Sequence, residues 1–231
     1  MTRVLNLYAG VGGNRALWPQ EADVTAVEKD PEIAEAYAAL WPDDELVVGD
    51  AHQYLLDHLG DGWDLIWSSP PCQSHSKLNR LLGRGKHRKL RYPKFGQLYG
   101  EVVVLTEFRR DVPWVVENVK PYYEVLIPPT TIMDRHLMWS NIGLPYIAPR
   151  PEETTRVSKN GKQLSRMKSL DVDNWEALYG LTLPTCADSW GRGKRRQVMR
   201  NCVDPKIGLA VWDAAFRRDR MEQDTLLGVE L

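Results

Sequence analysis

Two short stretches carry residue types that can do covalent chemistry. In "DLIWSSPPCQSHS" a hydrophobic run ends on Pro70 and Pro71 and delivers Cys72; in "WVVENV" another apolar run ends on Glu117 and Asn118. A thiolate is a strong nucleophile, and a carboxyl preceded by apolar residues is expected to have a raised pKa, which suits it to donate a proton to a ring nitrogen. A cysteine in a coil segment is more often packed and inert, and reactivity requires a polar or electropositive setting. The sequence after Cys72 supplies one. From Gln73 to Gly100 there is no Asp or Glu, while Lys77, Arg80, Arg84, Lys86, Arg88, Lys89, Arg91 and Lys94 are interspersed with His75, His87 and Tyr92. A solvated face is the plainer account of a charge run, but like charges rarely gather without a counter-ion, and a phosphate backbone is a natural one.

A second constellation precedes the first. "LYAGVGG" places Gly10, Gly12 and Gly13 between an apolar strand pattern and a predicted helix in "GGNRALW", where close backbone approach and a helix N-terminus favour a polar or anionic group. A structural tight turn explains the glycines about as well. Glu28 ends the next strand pattern, where a carboxylate can accept both hydroxyls of a ribose, and Asp50 ends the one after. Glycine, Glu28 and Asp50 at three successive strand ends favour a nucleoside site.

The elements that must position these groups alternate. "RVLNLYAG", "DVTAVEKD", "ELVVGD", "WDLIWSS" and "PWVVENV" read as strands, with helices in "PEIAEAYAALW", "AHQYLLDHL" and "GQLYGEVVVLTEFRR", which is the βαβ rhythm of a parallel sheet. The ends of such strands line one crevice, so Cys72 faces the glycine turn. "RHLMWSNIG" is a further strand, "NWEALYGLTLP" a helix and turn, and "VDPKIGLAVWDAAFRRDRM" a closing helix entered through a proline. Residues 145–173 break the rhythm with polar, Pro- and Gly-punctuated sequence and read as an inserted loop or a very small subdomain.

The 231 residues, net charge of −1 and 43% hydrophobic content suit one soluble α/β domain with a small appendage, and any nucleic-acid surface must therefore be local. No apolar run approaches the ~20 residues that span a bilayer, and the strand pattern begins within the first residues; a cytoplasmic protein is expected. Cys72, Cys186 and Cys202 lack CxxC spacing and a His cluster, which argues against a zinc site or a disulfide framework.

In this order, the glycine turn, the acid, the Pro-Cys-Gln loop and Glu-Asn-Val resemble the cytosine-5 DNA methyltransferase family over nearly the whole chain. "LNLYAGVGG" is similar to the family's first motif, with Tyr8 where Phe is usual; "VEKD" resembles the ribose motif, "GDAHQYL" the third, "PPCQSHS" the nucleophile loop and "ENV" the motif that holds the cytosine ring. "RHLMWSNIGLP" is close to the eighth motif and "MRNCVDP" to the closing Gly-Asn-Ser-Val-Pro motif. The resemblance implies an α/β fold of the Rossmann-like class I S-adenosylmethionine-dependent methyltransferase type, a mostly parallel sheet with helices on both faces. It implies S-adenosylmethionine bound by Tyr8, Ala9, Gly10, Gly12, Gly13, Glu28, Asp50, Pro71, Asn201 and Val203, with Asp50 meeting the adenine. Cys72 would add to carbon 6 of a flipped-out cytosine while Glu117 serves ring nitrogen 3, with Asn118 orienting the Pro-Cys loop and Arg135 supporting the chemistry.

The chain departs from the pattern in three places. The family's Gln-x-Arg-x-Arg is here "MDRHLMW", with one arginine, Arg135, and with His136 nearer the place of the last. Arg200 stands where Gly is common in the closing motif. A target-recognition domain is reduced to 145–173, between a catalytic domain over 1–144 and a return to it over 174–231, so a short recognition sequence is expected. The expected substrate is double-stranded DNA, held by Gln73, Ser76, Lys77, Arg80, Arg84, Lys86 and Arg88, by Arg156, Lys159, Lys162, Arg166 and Lys168, and by Arg192 and Arg195 of "GRGKRRQ". No metal, no membrane and a monomer are expected. The compactness suggests a phage or mobile-element origin, with restriction-modification or phage DNA protection as roles. An RNA enzyme of the same fold and a non-catalytic DNA-binding relative are the alternatives, the latter disfavoured by the pairing of Cys72 with Glu117; Cys186 and Cys202 are expected to be packing residues.

Overall fold

The structure is a computed structural model that describes residues 1–76, 95–148, 156–157, 163–164 and 172–226. Its main sheet has seven strands: β1 (Arg3–Leu7), β2 (Asp23–Glu28), β3 (Glu45–Val48), β4 (Leu65–Ser68), β5 (Trp114–Val119), β6 (Thr131–Met133) and β7 (His136–Ser140). They lie in the order β3-β2-β1-β4-β5-β7-β6. The first five are parallel, while β7 runs antiparallel to both β5 and β6. The order reverses between β1 and β4, and in an open sheet of this kind the crevice beyond the strand ends at that reversal is where ligands bind.

Both faces of the sheet are covered, which is why its central strands are almost continuously apolar. On one face α2 (Ala51–Asp57) and α3 (Phe95–Phe108) bury Leu55, Leu98, Val102 and Leu105 against Leu5, Ile66, Val116 and Trp139. On the other, α6 (Pro205–Leu226) packs Ile207, Val211 and Trp212 on Val4, Leu65, Trp67 and Val115. Helix α1 (Pro31–Leu40) lies with Tyr37 on Ala26 and is capped by Asp30, whose Oδ1 accepts from the Glu32 and Ile33 amides. A third cluster joins α4 (Val172–Tyr179) and α5 (Arg192–Asn201) to the glycine turn through Val11, Trp175, Val198 and Cys202. None of the described helices is long and apolar enough to cross a membrane.

The first crossover departs from expectation. "GGNRALW" forms successive turns rather than a helix, with Arg15, Ala16 and Trp18 amides donating to the Gly12, Gly13 and Arg15 carbonyls. Pro19 explains why: the residue before a proline is steered out of the α region, and only a few residues separate it from the glycines. Arg15 then turns inward to an ion pair with Asp44 at 3.1 Å, with both side chains almost fully buried, and Tyr37 Oη donates to the same carboxylate at 2.6 Å. Helix α5 and strand β6 are elements that the sequence reading missed. β6 spans three residues, and "GRGKRRQ" reads as charge rather than as a helix start. Of the segment 145–173, the described part is its two ends and a short antiparallel pairing of β8 (Arg156–Val157) with β9 (Gln163–Leu164). Lys159, Lys162, Arg166 and Lys168 lie outside the described residues.

Candidate active site

The glycine turn wraps directly onto the end of β2. Gly10 has φ +58° and donates its amide to Glu28 Oε2 at 3.0 Å, while Glu28 Oε1 accepts from the Lys29 and Asp30 amides at 2.8 Å each. Three backbone donors fix this half-buried carboxylate at the crevice, and a Cβ placed on Gly10 would point into open space beside it. That combination of a bare backbone concavity and an oriented acceptor fits a polar nucleoside ligand. Tyr8 also holds a positive φ, +57°, unusual for a bulky residue, and its hydroxyl donates to Glu101 Oε1. Ala9 is buried beneath the turn.

Gly13 is required for a different reason. A Cβ there would lie 2.2 Å from Cys202 Sγ and 2.4 Å from the Val203 carbonyl oxygen, so the turn rests on the closing motif with no room for a side chain. Gly13→Ala is expected to cost roughly 1–3 kcal/mol of folding stability through overpacking, read as a lowered urea midpoint with an unchanged slope. Of the closing residues named above, Val203 is buried against this turn and Asn201 is exposed at the end of α5. Asp50 caps α2, with Oδ1 accepting from the His52 and Gln53 amides and Oδ2 paired to Lys29 Nζ at 2.9 Å. The Lys29 hydrogen bond, followed by the helix amide of Gln53, keeps its pKa below the ordinary carboxylate value. One Asp50 oxygen is therefore structural.

The loop that bears Cys72 leaves β4 through Ser69, Pro70 and Pro71 and turns in a single 3₁₀ step over Cys72–Ser74. Asn118, at the end of neighbouring β5, donates its amide to the Pro70 carbonyl at 2.9 Å. From the other side buried His75 is hydrogen-bonded to Tyr123 Oη, and its carbonyl accepts from the Tyr122 amide. Burial lowers the His75 pKa, so this histidine packs the loop instead of adding to its positive charge. Pro71 and Gln73 are exposed and Ser76 is half-buried, bridging to Pro121. Lys77, Arg80, Arg84, Lys86, Arg88, Lys89, Arg91 and Lys94 lie outside the described residues.

Two electrostatic expectations are corrected. Burial, reinforced by the nearby Glu117 carboxylate, pushes the Cys72 thiol up to about 11, against the weaker pull of Arg135 and Arg200. Among the described residues the setting of Cys72 therefore favours the thiol rather than the thiolate. Its alkylation in a Cys186→Ser variant should climb about tenfold per pH unit through neutral pH, because only the growing thiolate fraction reacts. That climb should level off near 11; Cys202, pushed up to about 12 by full burial, lies behind Gly13 and reacts later. Glu117 moves the other way. Burial alone would raise it, but His136 beside it, with Ser69 and Arg135, outweighs burial and holds the carboxyl below its ordinary value. It stands ionised and hydrogen-bonded to His136 Nδ1.

Arg135 is held by three other groups. Its Nε lies 3.2 Å from His136 Nε2, its Nη2 donates to the Arg200 carbonyl at 2.8 Å, and its guanidinium sits 5.8 Å from the Trp175 ring centre. In α5, Arg192 is exposed, whereas Arg195 pairs with Asp188 at 3.4 Å and approaches Glu176 at 4.0 Å. Lys194 bridges to Asp30 and Glu32 at the head of α1. Lys194 and Arg195 of this basic cluster are thus paired within the protein itself.

A buried group that the sequence reading missed is Glu101, on the core-facing side of α3. It accepts from Tyr8 Oη and Ser68 Oγ and pairs with His52 Nδ1 at 3.2 Å, tying the glycine turn, the end of β4 and the head of α2 to one carboxylate. Its signal was present: Glu101 falls three residues after Leu98 and four before Leu105, within an otherwise apolar stripe.

A family model described as C-5 cytosine-specific DNA methylase matches residues 2–123. Among solved structures, the chain is similar to a mutant of Spodoptera frugiperda DNMT2, with 13% identity, a TM-score of 0.58 and 94% of this chain and 100% of that one covered. It is similar to the Entamoeba histolytica methyltransferase EhMeth, with 11% identity, a TM-score of 0.57 and coverage of 94% and 98%. The S. pombe Dnmt2 methyltransferase gives 13% identity, a TM-score of 0.53 and coverage of 94% and 99%. At these identities the likeness is one of fold. No curated protein sequence gives a match.

Proposed function

Because this chain belongs to the C-5 cytosine-specific DNA methylase family and has the Rossmann-like fold of class I S-adenosylmethionine-dependent methyltransferases, we propose that it methylates carbon 5 of cytosine in double-stranded DNA through a covalent Cys72 adduct. The observation that carries this reading is the meeting of Cys72 and Glu117 at the ends of adjacent strands, in opposite protonation states. The thiol is held protonated and the carboxyl ionised. The addition needs the reverse, a thiolate and an acid.

A single proton transfer from Cys72 to Glu117 supplies both. The sulfur pair then forms the bond to carbon 6, Glu117 passes the proton to ring nitrogen 3, and the displaced π electrons make carbon 5 nucleophilic. S-adenosylmethionine, when bound, supplies the electrophilic methyl group that carbon 5 takes. Loss of the carbon 5 proton to solvent water lets the S–C6 bond break, and the proton on ring nitrogen 3 returns through Glu117 to the sulfur, which restores the Cys72 thiol and the Glu117 carboxylate. These atoms are inaccessible inside a duplex, so the base must be flipped out, as enzymes that act on bases require.

The donor set at the crevice fits that cofactor. Tyr8, Ala9, Gly10, Gly12 and Gly13 would hold the methionine end, Glu28 the ribose and Asp50 the adenine, with Pro71, Asn201 and Val203 closing the pocket. We assign DNA contacts to Gln73, Ser76 and Arg192 and, beyond the described side chains, to the basic residues of 77–94 and 145–173. Residues 145–173 serve as a short target-recognition insertion, which limits how many base edges can be read. A monomeric enzyme of a bacterium or phage, acting in the cytoplasm in restriction-modification or DNA protection, completes the reading.

Transfer of tritiated methyl groups to duplex DNA, with RNA as the parallel substrate, tests it. Incorporation into DNA and covalent trapping on a 5-fluorocytosine duplex are expected. Incorporation into RNA alone overturns the DNA assignment, and incorporation into neither overturns the activity.

A further inference from the structure

His136 occupies a place where the resemblance leads one to expect an arginine. Strand β7 runs antiparallel to β5, with Val119 opposite His136 and Asn118 opposite Leu137, which brings the imidazole beside the end of the strand that bears Glu117. His136 is 3% exposed. Its two ring nitrogens have different partners. Nδ1 meets Glu117 Oε1, and Nε2 lies 3.2 Å from Arg135 Nε, which donates to it.

Those partners decide the tautomer. A guanidinium only donates and does not lose its proton in a protein, so Nε2 must be the accepting nitrogen. The ring proton is then on Nδ1, directed at a carboxylate that can only accept. Arg135 spends its remaining reach on the Arg200 carbonyl and on the face of Trp175. The order is Arg135 to His136 to Glu117, a cation acting on the carboxylate through a neutral ring.

We infer that His136 is the positioning residue of the acid step: as a neutral Nδ1–H donor oriented by Arg135, it fixes the Glu117 carboxylate and lets it take up the proton that ring nitrogen 3 requires. This rests on the catalytic reading given above. A guanidinium in direct contact would oppose protonation of Glu117 more strongly than a neutral imidazole, which offers Oε1 a single uncharged donor.

The test reads the ring itself and the reaction separately. Nitrogen and proton NMR of the free protein should show His136 protonated on Nδ1 and bare on Nε2, and Arg135→Met should shift the Nε2 resonance, because that nitrogen loses its donor. A proton on Nε2, or an unchanged Nε2 resonance in Arg135→Met, overturns the proposal. In methyl transfer, His136→Asn places an amide N–H where Nδ1–H was. It should stay within about tenfold of the wild type, whereas His136→Leu, which removes the donor, should fall by about 100-fold. A fall as large in His136→Asn as in His136→Leu, or normal transfer by a folded His136→Leu, also overturns it. If the wild type transfers no methyl group to any nucleic acid, the activity fails, and the NMR result still decides the role of His136.

Discussion

Cys72→Ser is expected to remove methyl transfer, by on the order of 10⁴-fold or more, while leaving S-adenosylmethionine binding within about twofold. The hydroxyl is a far weaker nucleophile than the thiolate, and its proton is harder to remove than one already held at about 11. Cofactor binding should survive because the turn that would hold it is built from other parts. Gly10 is bonded to Glu28, Tyr8 to Glu101, and Gly13 rests on Cys202 and Val203. Equilibrium dialysis with labelled cofactor and the tritium transfer assay, run on the same preparation, separate the two effects. Normal transfer by the serine variant would mean that another group attacks carbon 6.

Asp44→Ala is expected to produce the largest loss of stability in the chain, about 3–5 kcal/mol, because it strands a buried guanidinium. Arg15 and Asp44 are 4% and 2% exposed, and Tyr37 would lose its hydroxyl partner as well. Typical domains have only about 5–15 kcal/mol in hand, so urea unfolding should shift markedly and the variant should be partly unfolded on warming. Replacing the pair together, Arg15→Met with Asp44→Leu, should recover part of the loss. Full recovery is not expected, because Arg15 also donates to the Trp18 and Pro19 carbonyls. Arg15 sits in the first crossover, so the loss should also loosen the glycine turn and weaken cofactor binding.

Much of the architecture was legible in the sequence because a sheet covered on both faces writes its strands as unbroken apolar runs. The runs ending in Glu28, Asp50 and Val119 place Glu28, Asp50, Glu117 and Asn118 at strand ends without any structural knowledge. Short or charge-dominated elements were not legible. The turns over Gly10–Trp18 carry helix formers but are cut by Pro19, and "GRGKRRQ" lacks an apolar stripe to announce its helix, in which Lys194 pairs with Asp30 and Glu32 and Arg195 with Glu176 and Asp188. Protonation states were the least legible. Apolar neighbours along the strand suggested a raised Glu117, and a basic sequence suggested an activated Cys72; both directions reversed. Burial decides Cys72, with Glu117 reinforcing it, and His136 decides Glu117; these surroundings come from other parts of the fold, and periodicity along one segment says nothing of them.

The seating of Gly13 on Cys202 and Val203 has a consequence for the order of events during synthesis. Trp18 likewise donates its indole N–H to the Gly208 carbonyl at 3.0 Å, across 190 residues of chain. A ribosome that has finished the strands bearing Cys72 and Glu117 has made the reacting groups but not the wall that supports the glycine turn. Contacts of such long sequence separation form late, since the intervening loop must be closed first. The support for the glycine turn therefore arrives with α6, and a chain released early would carry Cys72 and Glu117 beside a turn that still lacks its rear wall.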